Sequence, residues 1–150
     1  MNNFAFPATL VPETKDGGFV VTFVDLPEAI TQGENLADAL HQAADCLEEA
    51  IAGRISDNEV IPEPSLTHQK NYLVFLPAQM AVKATLYNAM RRTSLSQIEL
   101  AKRLNSDEKE VSCLLDPHQD SKLSHIEKAL QTIGYQLVVG SMPGLKNQQA

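Results

Sequence analysis

The stretch SQIELAKRLNSDEKEVSCLL, residues 96–115, constrains the fold of this chain more than any other. Its apolar residues fall at three- and four-residue steps on either side of a polar break, which predicts two short helices joined by a tight turn. Two helices that cross closely need a small residue at the contact, and Ala101 meets that need. The turn needs a residue that tolerates the left-handed conformation, and Asn105 does. Val111 then stands where an aliphatic side chain plugs the angle between the helices, with Leu100, Leu104 and Leu114 completing the wedge. Ser96 with Glu99, and Asp107 with Glu110, have the spacing of helix-capping boxes. Together these residues predict a helix-turn-helix, a motif whose second helix enters the DNA major groove.

Helical patterns flank it. Pro77 suits the entry to a helix in which Val82, Leu86, Ala89 and Met90 form the apolar stripe. Arg91 and Arg92 close that helix, where cations complement its dipole. A further helix from Ser121 to about Ile133 buries Leu123, Ile126, Ala129, Leu130 and Ile133, and Gly134 ends it. YQLVVG, residues 135–140, reads as one isolated strand.

The candidate DNA contacts are Gln97, Lys102, Lys109, Ser112 and Cys113. Gln97 opens a helix, where backbone N–H groups and its own side chain can meet a phosphate. Lys109, Ser112 and Cys113 point outward from the second helix of the motif, and Lys102, with Arg103, Lys122 and Lys128, can reach phosphates. Asp107, Glu108 and Glu110 open that same helix and repel phosphate, so one copy should bind duplex weakly. A homodimer reading two half-sites is the natural remedy, and the unpaired strand 135–139 can supply the contact. A helical bundle used only for protein contacts is the alternative.

The first half follows a different period. Residues 4–11 predict a strand with Phe4, Phe6 and Leu10 on one face, and Pro7 suits its start or a sheet edge. ETKDGG supplies a hairpin turn. Phe19, Val21 and Phe23 alternate with Val20, Thr22 and Val24, which predicts a second strand covered on both faces. DLPEA ends it, a short third strand runs through Ile30, and Gly33 closes that strand. Asn35 caps a helix whose stripe is Leu36, Leu40, Ala43, Leu47, Ala50 and Ile51, with Asp38, Asp45, Glu48 and Glu49 opposite. VIPEPSLTHQKN is irregular, and Tyr72–Leu76 forms a last strand. The order β-β-β-α-β makes a small α+β unit. The expected division is 1–77, an all-helical 78–140 with its terminal strand, and a flexible tail 141–150.

Charge follows the same division. Residues 1–77 hold twelve Asp and Glu against Lys15, Arg54 and Lys70, whereas residues 78–140 hold seven acidic and eight basic residues. The acidic unit either meets a basic macromolecule or is merely solvated. Asp25 ends the second strand, with Glu28 nearby, so a metal-dependent nuclease is one alternative; no matching carboxylate stands at another strand end. A repressor whose first unit senses a small ligand is another. No phosphate loop or nucleophile motif is present, and His41, His68, His118 and His125 lack ligand spacing, so no catalytic residue, metal site or cofactor is assigned. Cys46 and Cys113 lie far apart, which predicts reduced thiols in a cytoplasmic protein. No apolar run nears the roughly 20 residues that span a bilayer, and the first residues lack the features of a secretory signal.

Three stretches, FPATLVPETKDGGFVVTFVDLPEAITQGENLADAL, DNEVIPEPS and SQIELAKRL, together make the chain resemble the HicB family of antitoxins over residues 4–139. The resemblance implies a degraded ribonuclease-H-like N-terminal fold without catalysis. It implies that this unit binds and occludes a HicA-type toxin, a basic mRNA-cleaving ribonuclease. It further implies that the helical unit represses the toxin–antitoxin operon by binding double-stranded operator DNA as a homodimer or higher oligomer. Asp25, Glu28, Thr31, Gln32 and Gly33 lie in the matching motif and become the candidate toxin contacts. Two features depart from the pattern: Asn105 replaces the commoner turn glycine, and the reading helix is unusually acidic.

Overall fold

The computed structural model describes residues 3–15, 17–67 and 70–144. Asp16 of the hairpin turn, His68 and Gln69 of the proline-rich loop, and residues 145–150 of the expected tail lie outside the described residues. Among the described residues, one compact unit comprises those up to Ile51, Pro62–Pro77 and those from Met142; the other comprises Ala52–Ile61 and Ala78–Ser141. No described helix is long and apolar enough to cross a membrane.

The first unit has the order β1 (Ala5–Pro12), β2 (Phe19–Phe23), β3 (Ile30–Gly33), α1 (Leu36–Ser56) and β4 (Tyr72–Phe75). The sheet order is β3-β2-β1-β4, and every pairing is antiparallel. Gly17 takes φ 75°, and Glu13 N–H donates to Gly18 O at 2.7 Å to close the β1–β2 hairpin. Pro7 sits in the central strand rather than at an edge. It is tolerated because the β1–β2 ladder begins only at Ala8↔Phe23, and Pro7 faces that side.

Phe6, Ala8, Val21, Phe23 and Val74 alternate onto one buried face, and α1 contributes Ala39, Leu40, Ala43, Leu47 and Ile51 to the same core. Helix and sheet meet closely at Gly33, where a Cβ would lie 2.4 Å from the backbone N and Cα of Ala39. The expectation of a β2 covered on both faces is corrected. Thr22 is exposed and Val24 is 72% exposed. β-Branched residues favour strands on a solvated face too, so their presence does not prove burial. Asn35 caps α1 as expected: its Oδ1 accepts from Asp38 N–H at 2.9 Å, and Asp38 Oδ2 accepts from Glu34 N–H at 2.8 Å.

The second unit holds α2 (Ala78–Thr93), α3 (Gln97–Leu104), α4 (Glu108–Leu115) and α5 (Leu123–Thr132), together with the last turn of α1. Its core is Leu86, Ala89, Met90, Leu95, Leu100, Ala101, Val111, Leu114, Ile126, Ala129, Leu130 and Ile133. Tyr87 O–H donates to Glu59 O at 2.6 Å and Arg91 donates to Asn58 Oδ1 at 3.0 Å, which ties the segment after α1 to α2. Gly134, at φ 89°, ends α5, and Tyr135 N–H reaches back to Leu130 O at 2.9 Å.

Two expectations fail here. α5 starts at Leu123, not Ser121, and its N-cap Lys122 makes no side-chain cap bond. The terminal strand does not form: residues 135–139 have no regular secondary structure and pair with no strand among the described residues. A strand exists only against a partner, and the single chain offers none there. The segment still alternates. Tyr135 and Leu137 pack on the helical core, whereas Val138 is 61% and Val139 77% exposed.

Candidate functional site

The helix-turn-helix is built by the residues that predict it. Ser96 Oγ accepts from Glu99 N–H at 3.1 Å, and Asp107 Oδ1 accepts from Glu110 N–H at 2.8 Å, so both short helices start on a side-chain cap. Asn105 takes φ 57°, and Ser106 N–H donates to Ala101 O at 2.9 Å, closing α3 with a left-handed residue where glycine is commoner. Ala101 is 5% exposed at the crossing, with Leu100 and Val111 wholly buried beside it.

That packing leaves a polar surface. Gln97, Lys102, Lys109 and Ser112 are exposed and Cys113 is half-buried. Gln97 and Ser112 line one cleft, with Arg91, Ser94 and Ser96; Lys102, Lys109 and Cys113 do not line it. Glu108 and Glu110 share the exposed side of α4 with Lys109.

Four buried residues of α2, Met80, Lys83, Ala84 and Tyr87, were missing from its expected stripe, Val82 is only half-buried, and one of the four is charged. Lys83 is only 1% exposed. Its Nζ donates to Leu114 O at 2.9 Å, Cys113 O at 3.1 Å and Ser121 Oγ at 2.8 Å. Ser121 N–H in turn donates to Gln79 Oε1 at 2.8 Å. Desolvation pushes the Lys83 pKa down, partly countered by Asp116, Asp120 and Cys113. The signal lay in the spacing: Lys83 falls between Met80 and Tyr87 at helical steps, on the buried side of α2.

The five candidate toxin contacts separate. Asp25 is committed internally: Oδ2 accepts from Ser65 N–H at 2.9 Å, and Oδ1 accepts from Ser65 O–H. The bond joins the turn after β2 to the proline-rich loop forty residues on. Leu26 and Ala29 are buried in that turn, which leaves Glu28 on its exposed side. Thr31, Gln32 and Gly33 form the end of β3, an edge strand. Gln32 and Gly33 line a shallow notch with Glu13, Glu34 and Asp38, so this edge is acidic. Cys46 lies within reach of the Glu28 charge, and burial chiefly, then that carboxylate, raises its thiol pKa. The exposed His41–Asp45 pair on α1, at 3.7 Å, adds little. Among the described residues no three His, Cys, Asp or Glu side chains converge as a metal site.

Residues 5–85 match the family model described as a HicB-like antitoxin of a bacterial toxin–antitoxin system. The chain is 36% identical over 132 residues to Antitoxin HicB of Escherichia coli K12, covering 88% of this chain and 95% of that protein. It is 37% identical over 139 residues to Antitoxin HicB 1 of Photorhabdus laumondii, covering 93% of this chain and 88% of that one. Antitoxin HicB of Pseudomonas fluorescens is 30% identical over 135 residues, covering 89% and 92%. A sheet-and-helix unit that matches the family model, continued by a helix-turn-helix within the span shared with these relatives, places this chain in the HicB-like antitoxin family.

Proposed function

We propose that this protein is an antitoxin that binds and neutralises an mRNA-cleaving HicA-type toxin and represses its own operon by binding operator DNA. The observation that carries the reading is the pairing, in one chain, of a HicB-like unit with a helix-turn-helix capped at both helices and open on its polar side. Residues 1–77 take the toxin and 78–140 take the DNA, with 141–150 as a tail. Gln32 and Gly33 line an acidic edge suited to a basic ribonuclease, and Glu28 and Thr31, on the turn before β3 and on β3 itself, complete the contact. Asp25, half-exposed beside them, completes the toxin-facing set while it holds the loop at Ser65. Gln97, Lys102, Lys109, Ser112 and Cys113 face the duplex, and a homodimer joined through residues 135–139 supplies two half-sites. The protein acts without catalysis, in the cytoplasm, where operon and mRNA are. A nuclease reading would need Asp25 to ligate a metal, and both its oxygens already accept from Ser65.

Co-expression tests the reading. A small basic reading frame beside this gene, expressed alone, should stop growth, and this protein should restore it. A neighbouring frame that is harmless alone, together with magnesium-dependent RNA cleavage lost in Asp25→Asn, would sink it in favour of the nuclease.

A further inference from the structure

α4 is the helix that the proposed function turns toward DNA, and the bonds at its own end are long: Cys113 O accepts from Asp116 N–H at 3.3 Å and from Ser121 O–H at 3.3 Å. It has eight residues, and its last turn carries no basic side chain. A helix of two turns is marginal alone, and its final carbonyls lack partners within the helix. Lys83 of α2 provides for them. All three Nζ protons are used, two on the carbonyls of Cys113 and Leu114 and one on the Ser121 hydroxyl. Gln79, one turn earlier on α2, takes the Ser121 N–H. One face of α2 therefore grips both the end of α4 and the chain leading into α5. A buried ammonium is an expensive way to fill that space, because an apolar side chain would avoid its desolvation. What the charge adds is direction: its bonds require the two carbonyls to point at one place on α2.

We propose that Lys83 is a positioning residue for DNA reading: through Cys113 O, Leu114 O and Ser121 Oγ it fixes the end of α4 on α2 and so sets the angle at which Lys109 and Ser112 meet the duplex. The inference rests on the DNA-binding reading above. Lys83 itself touches no DNA, because it is buried.

The test uses the full chain and the duplex immediately upstream of its own reading frame. Lys83→Met is compared with the parent protein under conditions where circular dichroism shows both folded. Affinity should fall about tenfold, the scale of one well-placed base contact. The dependence on salt should keep its slope, since no phosphate contact is removed. Amide hydrogen exchange over residues 113–121 should quicken. A residue that only stabilised the fold would leave affinity unchanged in folded protein, so parent-like binding overturns the inference. If the parent itself fails to bind the duplex, the functional reading fails and the inference falls with it; if the parent binds, unchanged affinity or unchanged protection over α4 in Lys83→Met overturns the inference alone. Should Lys83→Met not fold, Lys83→Gln keeps a polar side chain of similar reach but has no charge and only two donor hydrogens for the three acceptors. Weaker binding by that variant, with an unchanged salt slope, supports the inference, and parent-like binding overturns it.

Discussion

At the scale of single residues, Asp25 shows how a carboxylate that looks like a ligand can be a brace. Removing it leaves the Ser65 N–H and hydroxyl without their acceptor. Asp25→Ala should lower unfolding stability by about 0.5–1.5 kcal/mol, the net worth of a typical hydrogen bond, because the pair is open to water. Urea denaturation checks this, and a full-stability variant would mean that the loop is not held there. Lys109 belongs to the opposite class. It is exposed and its value is electrostatic. Lys109→Ala should weaken operator binding and reduce the salt slope by about one released counterion. Lys83 makes a third case, visible through pH. Its folded pKa lies below the ordinary lysine value. Between the two values the unfolded chain therefore binds more protons than the folded one, so this group's contribution to stability rises as pH climbs through that window. The stability difference between parent and Lys83→Met should shift toward the parent with rising alkaline pH. A difference that stays flat would mean the ammonium is solvated.

At the scale of elements, the reliable signals were those in which one residue does a local job. Asn35, Ser96 and Asp107 cap the helices they precede, and Asn105 adopts the left-handed turn. Such choices depend on a few neighbouring backbone groups, so they can be read without knowing the tertiary fold. The misses all depend on partners distant in the chain. Ser121 has the composition of a cap but spends its hydroxyl on Lys83. Val20, Thr22 and Val24 have the composition of a second buried face, but Val20 is only half-buried and Thr22 and Val24 are exposed. Asp25 could not announce Ser65, because nothing in its local sequence marks a bond across forty residues. Among the site candidates, the proposed DNA contacts were read from helical phase and are exposed apart from half-buried Cys113, whereas the proposed toxin contacts came from a motif, and one of them, Asp25, also bonds Ser65. Close crossings offer the sharpest test at this scale. Ala101→Leu should overpack the α3–α4 contact and cost about 1–3 kcal/mol. Thermal melting that matches the parent would mean that the helices do not meet at Ala101.

At the scale of the whole molecule, the proposed self-association would run through residues 135–139. One side of this segment is seated on the helical core while Val138 and Val139 face out. Two copies side by side would satisfy both backbones and cover both valines. Val138→Lys should yield monomers in sedimentation and lose cooperative operator binding. A variant that still sediments as the dimer would place the contact elsewhere. The last turn of α1 and the loop through Ile61 have a practical meaning for anyone who divides this gene. Tyr87 and Arg91 lean on Glu59 and Asn58, so a rear fragment beginning at Ala78 would start life with those anchors amputated. A piece meant to stand alone needs residues 52–61 grafted ahead of it, and a failed expression trial of the shorter one would indict the scissors rather than the fold.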